Sequence, residues 1–247
     1  MSKPKPVLEY DKVSKYFNNV PAVDGLALSV AAGEIVGLIG PNGSGKTTTI
    51  KMACGLYRPD AGAVRVAGLD VVKDPTGAKR RLAYVPDEPV AYDRLTGREF
   101  LQFVGELFGL DRGYRESRID ALLDAYGLRG MAEGLYGTFS RGTKQKISMC
   151  AGLLHEPDIL LIDEPMVGLD PQSIQTTISL LEEYIKRGGA AFISTHTLPV
   201  AERLCGRFVM LARGRVAAAG TLAEMRAEAG LPRGSLEDCY LSLAGKL

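Results

Sequence analysis

The sequence predicts an α/β fold with a mostly parallel central sheet, on three observations. Short apolar runs rich in β-branched residues alternate with stretches of helical periodicity. The runs are continuous rather than alternately apolar and polar, as strands covered on both faces must be. A glycine-rich segment and a pair of acids fall directly after such runs, at the carboxyl edge where open α/β sheets bind their ligands.

Taken in order, the first run, 34–39, leads into Gly40-Pro41-Asn42-Gly43-Ser44-Gly45-Lys46-Thr47 ahead of a helical segment, and the second occupies 82–85. Thr96-Gly97-Arg98-Glu99 has the form of a capping box and opens a helix on which Phe100, Phe103, Val104, Leu107 and Phe108 share one face. A second helix carries Ile119, Leu122, Leu123 and Tyr126 in steps of three and four, with Gly127 as its stop. Strand text returns at 159–162 and 190–194, then at 208–211 and 215–218, which turn on Gly214, and a helix follows near 236–243. The expected organisation is one unit over 1–247: a core of 1–88 and 151–220, a helical insertion at 89–150 and a C-terminal helical extension at 221–247.

Composition narrows the function. The 247 residues include 30 basic and 29 acidic side chains, with 46% hydrophobic and 24% charged residues. Collagen-like, disordered and disulfide-rich classes are excluded. A formal charge of +1 with no long basic run lacks the footprint of a phosphate-backbone binder, so no nucleic-acid partner is expected. The start, Met1-Ser2-Lys3-Pro4-Lys5-Pro6, is polar and leads into no apolar stretch, so no signal peptide is expected. No run approaches the roughly 18 apolar residues of a membrane helix. Cys54, Cys150, Cys205 and Cys239 are far apart without a C-x-x-C pair, which argues for buried thiols in a reducing, cytoplasmic setting rather than a zinc or redox site.

Gly40 to Thr47 fits G-x-x-x-x-G-K-[ST], and it lies between strand and helix as that motif requires. The glycines let backbone amides of Asn42, Gly43, Ser44 and Gly45 turn inward around a phosphate, and the following helix aims its unpaired amides at the same anion. Lys46 would reach the β- and γ-phosphates of a nucleotide, the Thr47 hydroxyl would ligate Mg²⁺, and Thr48 would add a contact to the α-phosphate. Asp163 and Glu164 end the run at 159–162. Asp163 would hold the magnesium shell, while Glu164, pointing to the opposite side, would polarise an attacking water; the alternative is that either acid caps the next segment. His196 follows the run at 190–194 and could hydrogen-bond a γ-phosphate, whereas His155, in a turn before Glu156-Pro157, reads as structural.

The phosphate loop, Phe139-Ser140-Arg141-Gly142-Thr143-Lys144-Gln145, Leu160-Leu161-Ile162-Asp163-Glu164-Pro165, Gly168-Leu169-Asp170-Pro171 and Ser194-Thr195-His196 occur in one fixed order. That order resembles the ATP-binding cassette (ABC) ATPases, over nearly the whole chain from about Leu8 to Met225. The resemblance implies a P-loop NTPase core with a mostly parallel central sheet, an N-terminal antiparallel β part and a helical insertion subdomain. It implies Mg²⁺-dependent ATP hydrolysis between two cassettes closed head to tail, hence a second ATPase subunit, with a homodimer as the simplest form. Ser140 and Gly142 would then meet the partner's γ-phosphate and Asp170 would act across the interface; Ser140 and Asp170 also read as helix N-caps. Phe17 lies where the family stacks an aromatic on adenine, the alternative being a packed strand residue.

Three departures stand out. Arg141 and Thr143 replace a glycine and a glutamine of the usual Leu-Ser-Gly-Gly-Gln, and Asp87 stands where a glutamine is usual. An aspartate can still offer Mg²⁺ an oxygen, although it is shorter, charged and unable to donate amide hydrogen bonds. Asp87-Glu88-Pro89 and 92–99 look most like the ATPase subunits of bacterial type-2 exporters, which pair with a separately encoded membrane permease. That implies a cytoplasmic chain held on the inner face of the cell membrane through the permease. Soluble ABC ATPases uncoupled from transport and a nucleotide-gated regulatory subunit are the alternatives; tandem cassettes, a long coiled-coil insertion or a basic patch would favour the first, and none is visible.

Overall fold

Among residues 5–244, which this computed structural model describes, the strands form two sheets. The start of the chain through Pro4, and positions 245–247 of the expected extension, lie outside the described residues. A hairpin of β1 (Pro6–Phe17) and β2 (Val20–Ala31) is followed by β3 (Ile35–Ile39), α1 (Lys46–Ala53), β4 (Ala61–Val66), β5 (Leu69–Asp70), α2 (Pro75–Arg80) and β6 (Leu82–Val85). The insertion comprises α3 (Gly97–Leu107), α4 (Arg112–Ala125) and α5 (Arg141–Leu154). The core resumes with β7 (Ile159–Asp163), α6 (Pro171–Lys186), β8 (Ala190–Thr195), α7 (Leu198–Leu204), β9 (Arg207–Ala212) and β10 (Arg215–Gly220), and α8 (Leu222–Ala229) and α9 (Leu236–Ala244) follow.

The smaller sheet is antiparallel, in the order β2-β1-β4-β5. The larger runs β10-β9-β3-β8-β7-β6, parallel throughout except for β10, which returns antiparallel along β9 through the Gly214 turn. Its strands are the continuous apolar runs, and their residues alternate strictly between two cores. Ile159, Leu161, Ala190, Phe192, Val209 and Leu211 face the side shared with α1 and the antiparallel sheet. Leu160, Ile162, Ala191, Ile193, Phe208 and Met210 face the side covered by the insertion, α6, α7 and α9. Burial on both faces explains why the central strands β3, β7 and β8 carry no polar residue until their carboxyl ends.

The helix signals behave as their chemistry requires. Thr96 and Glu99 form the reciprocal capping box at the start of α3, and Gly127, with φ 64°, follows the end of α4. The helix α5 runs to Leu154, through the boundary placed at 150, because Leu153 and Leu154 belong to the same buried face as Ile147 and Cys150. The helices α2 and α7 give no periodic signal because they span only six and seven residues. All four cysteines are buried and unpaired, and burial pushes the thiols of Cys54, Cys150 and Cys205 up to about 12. No helix among the described residues is long and apolar enough to cross a membrane.

Phe192, fully buried on the central strand β8 and tilted against Tyr10 at 6.2 Å, tests this arrangement. Phe192→Ala is expected to lower unfolding stability by about 3–5 kcal/mol, read as a fall in the urea midpoint at unchanged slope. Leu241→Ala, on the exposed side of α9, should stay within about 0.5 kcal/mol of the parent.

Candidate functional site

The carboxyl ends of β3, β6, β7 and β8 release four segments along one edge: the glycine-rich loop, the Asp87 loop, Glu164 and His196. The glycine-rich loop ends at Gly45, the N-cap of α1, with φ 106°. A Cβ there would stand 2.4 Å from the Ala22 carbonyl, so only glycine fits. No side chain caps α1, which leaves its first-turn amides for an anion. Lys46 is buried and its Nζ donates to the carbonyls of Gly40 (2.8 Å) and Pro41 (3.1 Å), stapling the loop closed. Burial lowers the pKa of this ammonium, against the opposing pull of Glu164 and Asp163. Ser44 Oγ is buried without a hydrogen-bond partner, the kind of orphaned donor that a phosphate oxygen would satisfy. The loop is braced from behind: Gly214 donates its amide to Ser44 O at 3.1 Å and accepts that of Asp24 at 2.8 Å.

One concavity is lined by Ala22 with Asn42, Gly43, Gly45, Lys46, Thr47 and Thr48, so the expected phosphate contacts converge. A second shares Asn42 and is walled by Gly40, Pro41, His196, Leu198 and Tyr240. His196 therefore stands beside the loop, as expected for a group aimed at a terminal phosphate.

The strand β7 delivers the acids. Asp163 is buried and sits in register with Ser194 on β8, whose hydroxyl donates to Asp163 Oδ1. Glu164 follows with φ 52°, a left-handed conformation costing about 1–3 kcal/mol. Its Oε2 accepts from Thr195 Oγ1 at 3.0 Å, and its Oε1 accepts from the His196 amide at 3.0 Å and from His196 Nδ1 at 2.6 Å. Neither acid caps a helix; α6 is capped by Asp170. Glu164 and His196 thus form a directly bonded pair. The carboxylate accepts the hydrogen bond of Nδ1–H and so orients the ring, while Nε2 has no hydrogen-bond partner among the described residues.

Ser140 caps α5 by accepting the Thr143 amide at 3.2 Å. Gly142 is wedged against the loop after β7, with space for no side chain: a Cβ would lie 2.5 Å from Gly168 O. Asp170 accepts from the Ser173 amide at 2.9 Å and from its hydroxyl, which holds its carboxyl well below the usual range, and Lys146 lies 3.3 Å away. Phe17 is not a packed core residue; it is 42% exposed and meets Tyr57 edge-on at 5.4 Å, on the hairpin that also supplies Ala22. Asp87 bonds to Arg141 at 2.7 Å.

No group of three or more His, Cys, Asp or Glu among the described residues could hold a metal by itself. The oxygens of Thr47 and Asp163 nevertheless suit magnesium, which is commonly held by one or two protein groups together with substrate phosphates. A metal arriving with the nucleotide therefore fits this donor set.

Sequence reading did not find the partners of the acids. Ser194 and Thr195 are visible in the motif, but their bonds to Asp163 and Glu164 follow from the parallel register of β7 and β8, which spacing does not encode. Tyr240 is missed altogether, because only the tertiary position of α9 brings it to the loop.

Comparison with known proteins finds a family model and several relatives. The family model described as ABC transporter matches residues 23–167. The chain is 36% identical over 233 residues to the ABC-type transporter ATP-binding protein EcsA of Bacillus subtilis (strain 168), covering 94% of each. It is 35% identical to the daunorubicin/doxorubicin resistance ATP-binding protein DrrA of Streptomyces peucetius, covering 93% of this chain and 69% of that one. It is 36% identical to the Nod factor export ATP-binding protein I of Paraburkholderia xenovorans (strain LB400), covering 88% and 71%. A solved structure of an ATP-binding subunit of an ABC transporter superposes with a TM-score of 0.93 at 37% identity, covering 96% of this chain and 99% of the other.

The cradle's dependence on one glycine is directly testable. Gly45→Ala must accept both a positive φ and a carbonyl clash, with an expected loss of more than about 1 kcal/mol. It should lower the thermal midpoint and abolish binding of a fluorescent nucleoside triphosphate, whereas Gly206→Ala, with open space around its Cβ, should do neither.

Proposed function

The chain belongs to the ABC transporter family, and from that membership we propose that it is the ATP-hydrolysing subunit of a transporter, driving a separate membrane permease. The observation that carries the reading is the bonded pair of Glu164 and His196 beside the stapled glycine loop, at the edge where Asp163 emerges.

In this reading the adenine rests on Phe17, and the amides of Asn42, Gly43, Ser44 and Gly45, with Lys46 and Thr48, hold the phosphates. Glu164 polarises a water whose oxygen attacks the γ-phosphorus as the bond to the β-γ bridging oxygen breaks, giving ADP and phosphate. The carboxylate draws the water proton, and His196, oriented through Nδ1, presents Nε2 to the γ-phosphate. Thr47 and Asp163 would hold magnesium, with Asp87 as a further oxygen, and the metal when bound neutralises charge on the β- and γ-phosphates. Ser140, Gly142 and Asp170 face a second copy, so that ATP closes a homodimer and hydrolysis releases it.

The permease is proposed to dock in the apolar groove between insertion and core, where Leu56, Tyr84, Pro86, Val90, Val104 and Leu107 line the wall. Val90 and Leu107 are among the most exposed apolar side chains of the described residues. Through it the chain would sit on the cytoplasmic face of the cell membrane. Export is the proposed direction, since relatives above carry names of drug resistance and Nod factor export.

Glu164→Gln is expected to keep ATP affinity within about twofold while lowering turnover by about 10²–10⁴-fold, with a dimer accumulating on size exclusion in Mg·ATP. Normal turnover in that variant would remove Glu164 from its role. Lys46→Ala should weaken nucleotide binding by calorimetry, and chelating magnesium should stop phosphate release by the parent chain. Co-purification of an integral membrane protein with the tagged chain tests the partner.

A further inference from the structure

Two departures from the family pattern, Asp87 and Arg141, are bonded to one another. Arg141 Nη2 donates to Asp87 Oδ1 at 2.7 Å across 54 positions of chain. Arg141 opens α5 and Asp87 lies in the loop leaving β6, so the pair joins the insertion to the carboxyl edge of the central sheet. Helix electrostatics do not call for an arginine there, because a cation in the first turn opposes the helix dipole and no acid in that turn offsets it. Its stem runs beside Gly168, in the loop between Glu164 and Asp170.

A second pair of the same sense lies further along α5, where Lys146 Nζ stands 3.3 Å from Asp170 Oδ2. Between the two cations Gln145 is 1% exposed, and neither its amide oxygen nor its nitrogen has a hydrogen-bond partner. The start of α5 is therefore tied by two ion pairs to the loops after β6 and β7, which adjoin in the sheet. The Arg141–Asp87 pair is about half exposed on both sides, hence weak and sensitive to salt. An unsatisfied buried amide adds a cost that a rearranged α5 could relieve. A contact held by screened charge beside an unsatisfied amide is poised to change.

We infer that Arg141 is a positioning residue: its bond to Asp87 latches the loop after β6 to the first turn of α5 in the nucleotide-free chain, and nucleotide binding opens the latch. Only the nucleotide-dependent half rests on the function proposed above. The coupling is reciprocal, so whatever draws Asp87 away frees the start of α5, and whatever draws Arg141 away frees the Asp87 loop.

Amide hydrogen exchange on the nucleotide-free full chain reads the latch without reference to activity. Arg141→Glu and Asp87→Lys should each raise exchange in both 84–92 and 139–146 by about two- to fivefold, the range a half-exposed pair supports. The double variant with the charges interchanged should return both segments to the parent level, and high salt should reproduce the single variants. A rise in one segment only, or no recovery on interchange, overturns the latch. In a Glu164→Gln background, Arg141→Gln should tighten binding of a fluorescent ATP analogue by about two- to fivefold, because the opening is already achieved. Arg141→Lys should restore the parent affinity. Equal affinity in Arg141→Gln overturns the nucleotide-dependent half and leaves the exchange result standing. Failure of the parent chain to bind ATP at all would count against the proposed function instead.

Discussion

Everything at the site hangs from one constraint: the central strands are buried on both faces, so they can carry polar groups only where they end. On β7 this produces five buried residues whose last member, Asp163, is the first able to ionise. The strict alternation across the sheet puts Asp163 in line with Leu161 and Ile159 on the α1 side. In the same way β3 ends at Ile39, immediately before Gly40, and β8 at Thr195, beside His196. Four loops then leave one edge of the sheet, and the rigidity of a two-sided core sets the spacing of the groups they carry.

That constraint also explains what the sequence reveals and what it hides. The parallel strands are legible because two-sided burial writes them as unbroken apolar text, and 82–85 coincides with β6 residue for residue. The glycine loop is legible because its backbone geometry excludes other residues, as Gly45 against Ala22 illustrates. The antiparallel sheet is less so: β1 mixes buried and exposed residues with register shifts around Val13, and only the family resemblance pointed to it. At the site, Lys46, Asp163, Glu164 and His196 could be named from motif order. Their mutual bonds could not, since the contact between Glu164 and His196 depends on the register of β7 and β8 and on a left-handed backbone at Glu164.

The two substitutions that looked like erosion of the family pattern have a common physical basis. Separately, an aspartate in place of glutamine and an arginine in place of glycine each introduce a charge where the pattern has none. Together they introduce a neutral pair, which lets a cation stand at the start of α5 without a net field. Taken one at a time, the two positions would be two unbalanced charges; in the fold they are one pair.

The bracing of the glycine loop has a consequence for how the chain is made. Ser44 is held by the amide of Gly214, and Gly214 in turn by Asp24, so two segments near the start of the chain meet one from far along it behind the cradle. Contacts this distant in sequence form late, because the intervening chain must first be synthesised and ordered. During translation the phosphate loop emerges early but lacks its support until the β9–β10 turn has left the ribosome. A nascent chain halted before that turn would carry the complete motif without the two backbone bonds that brace it from behind.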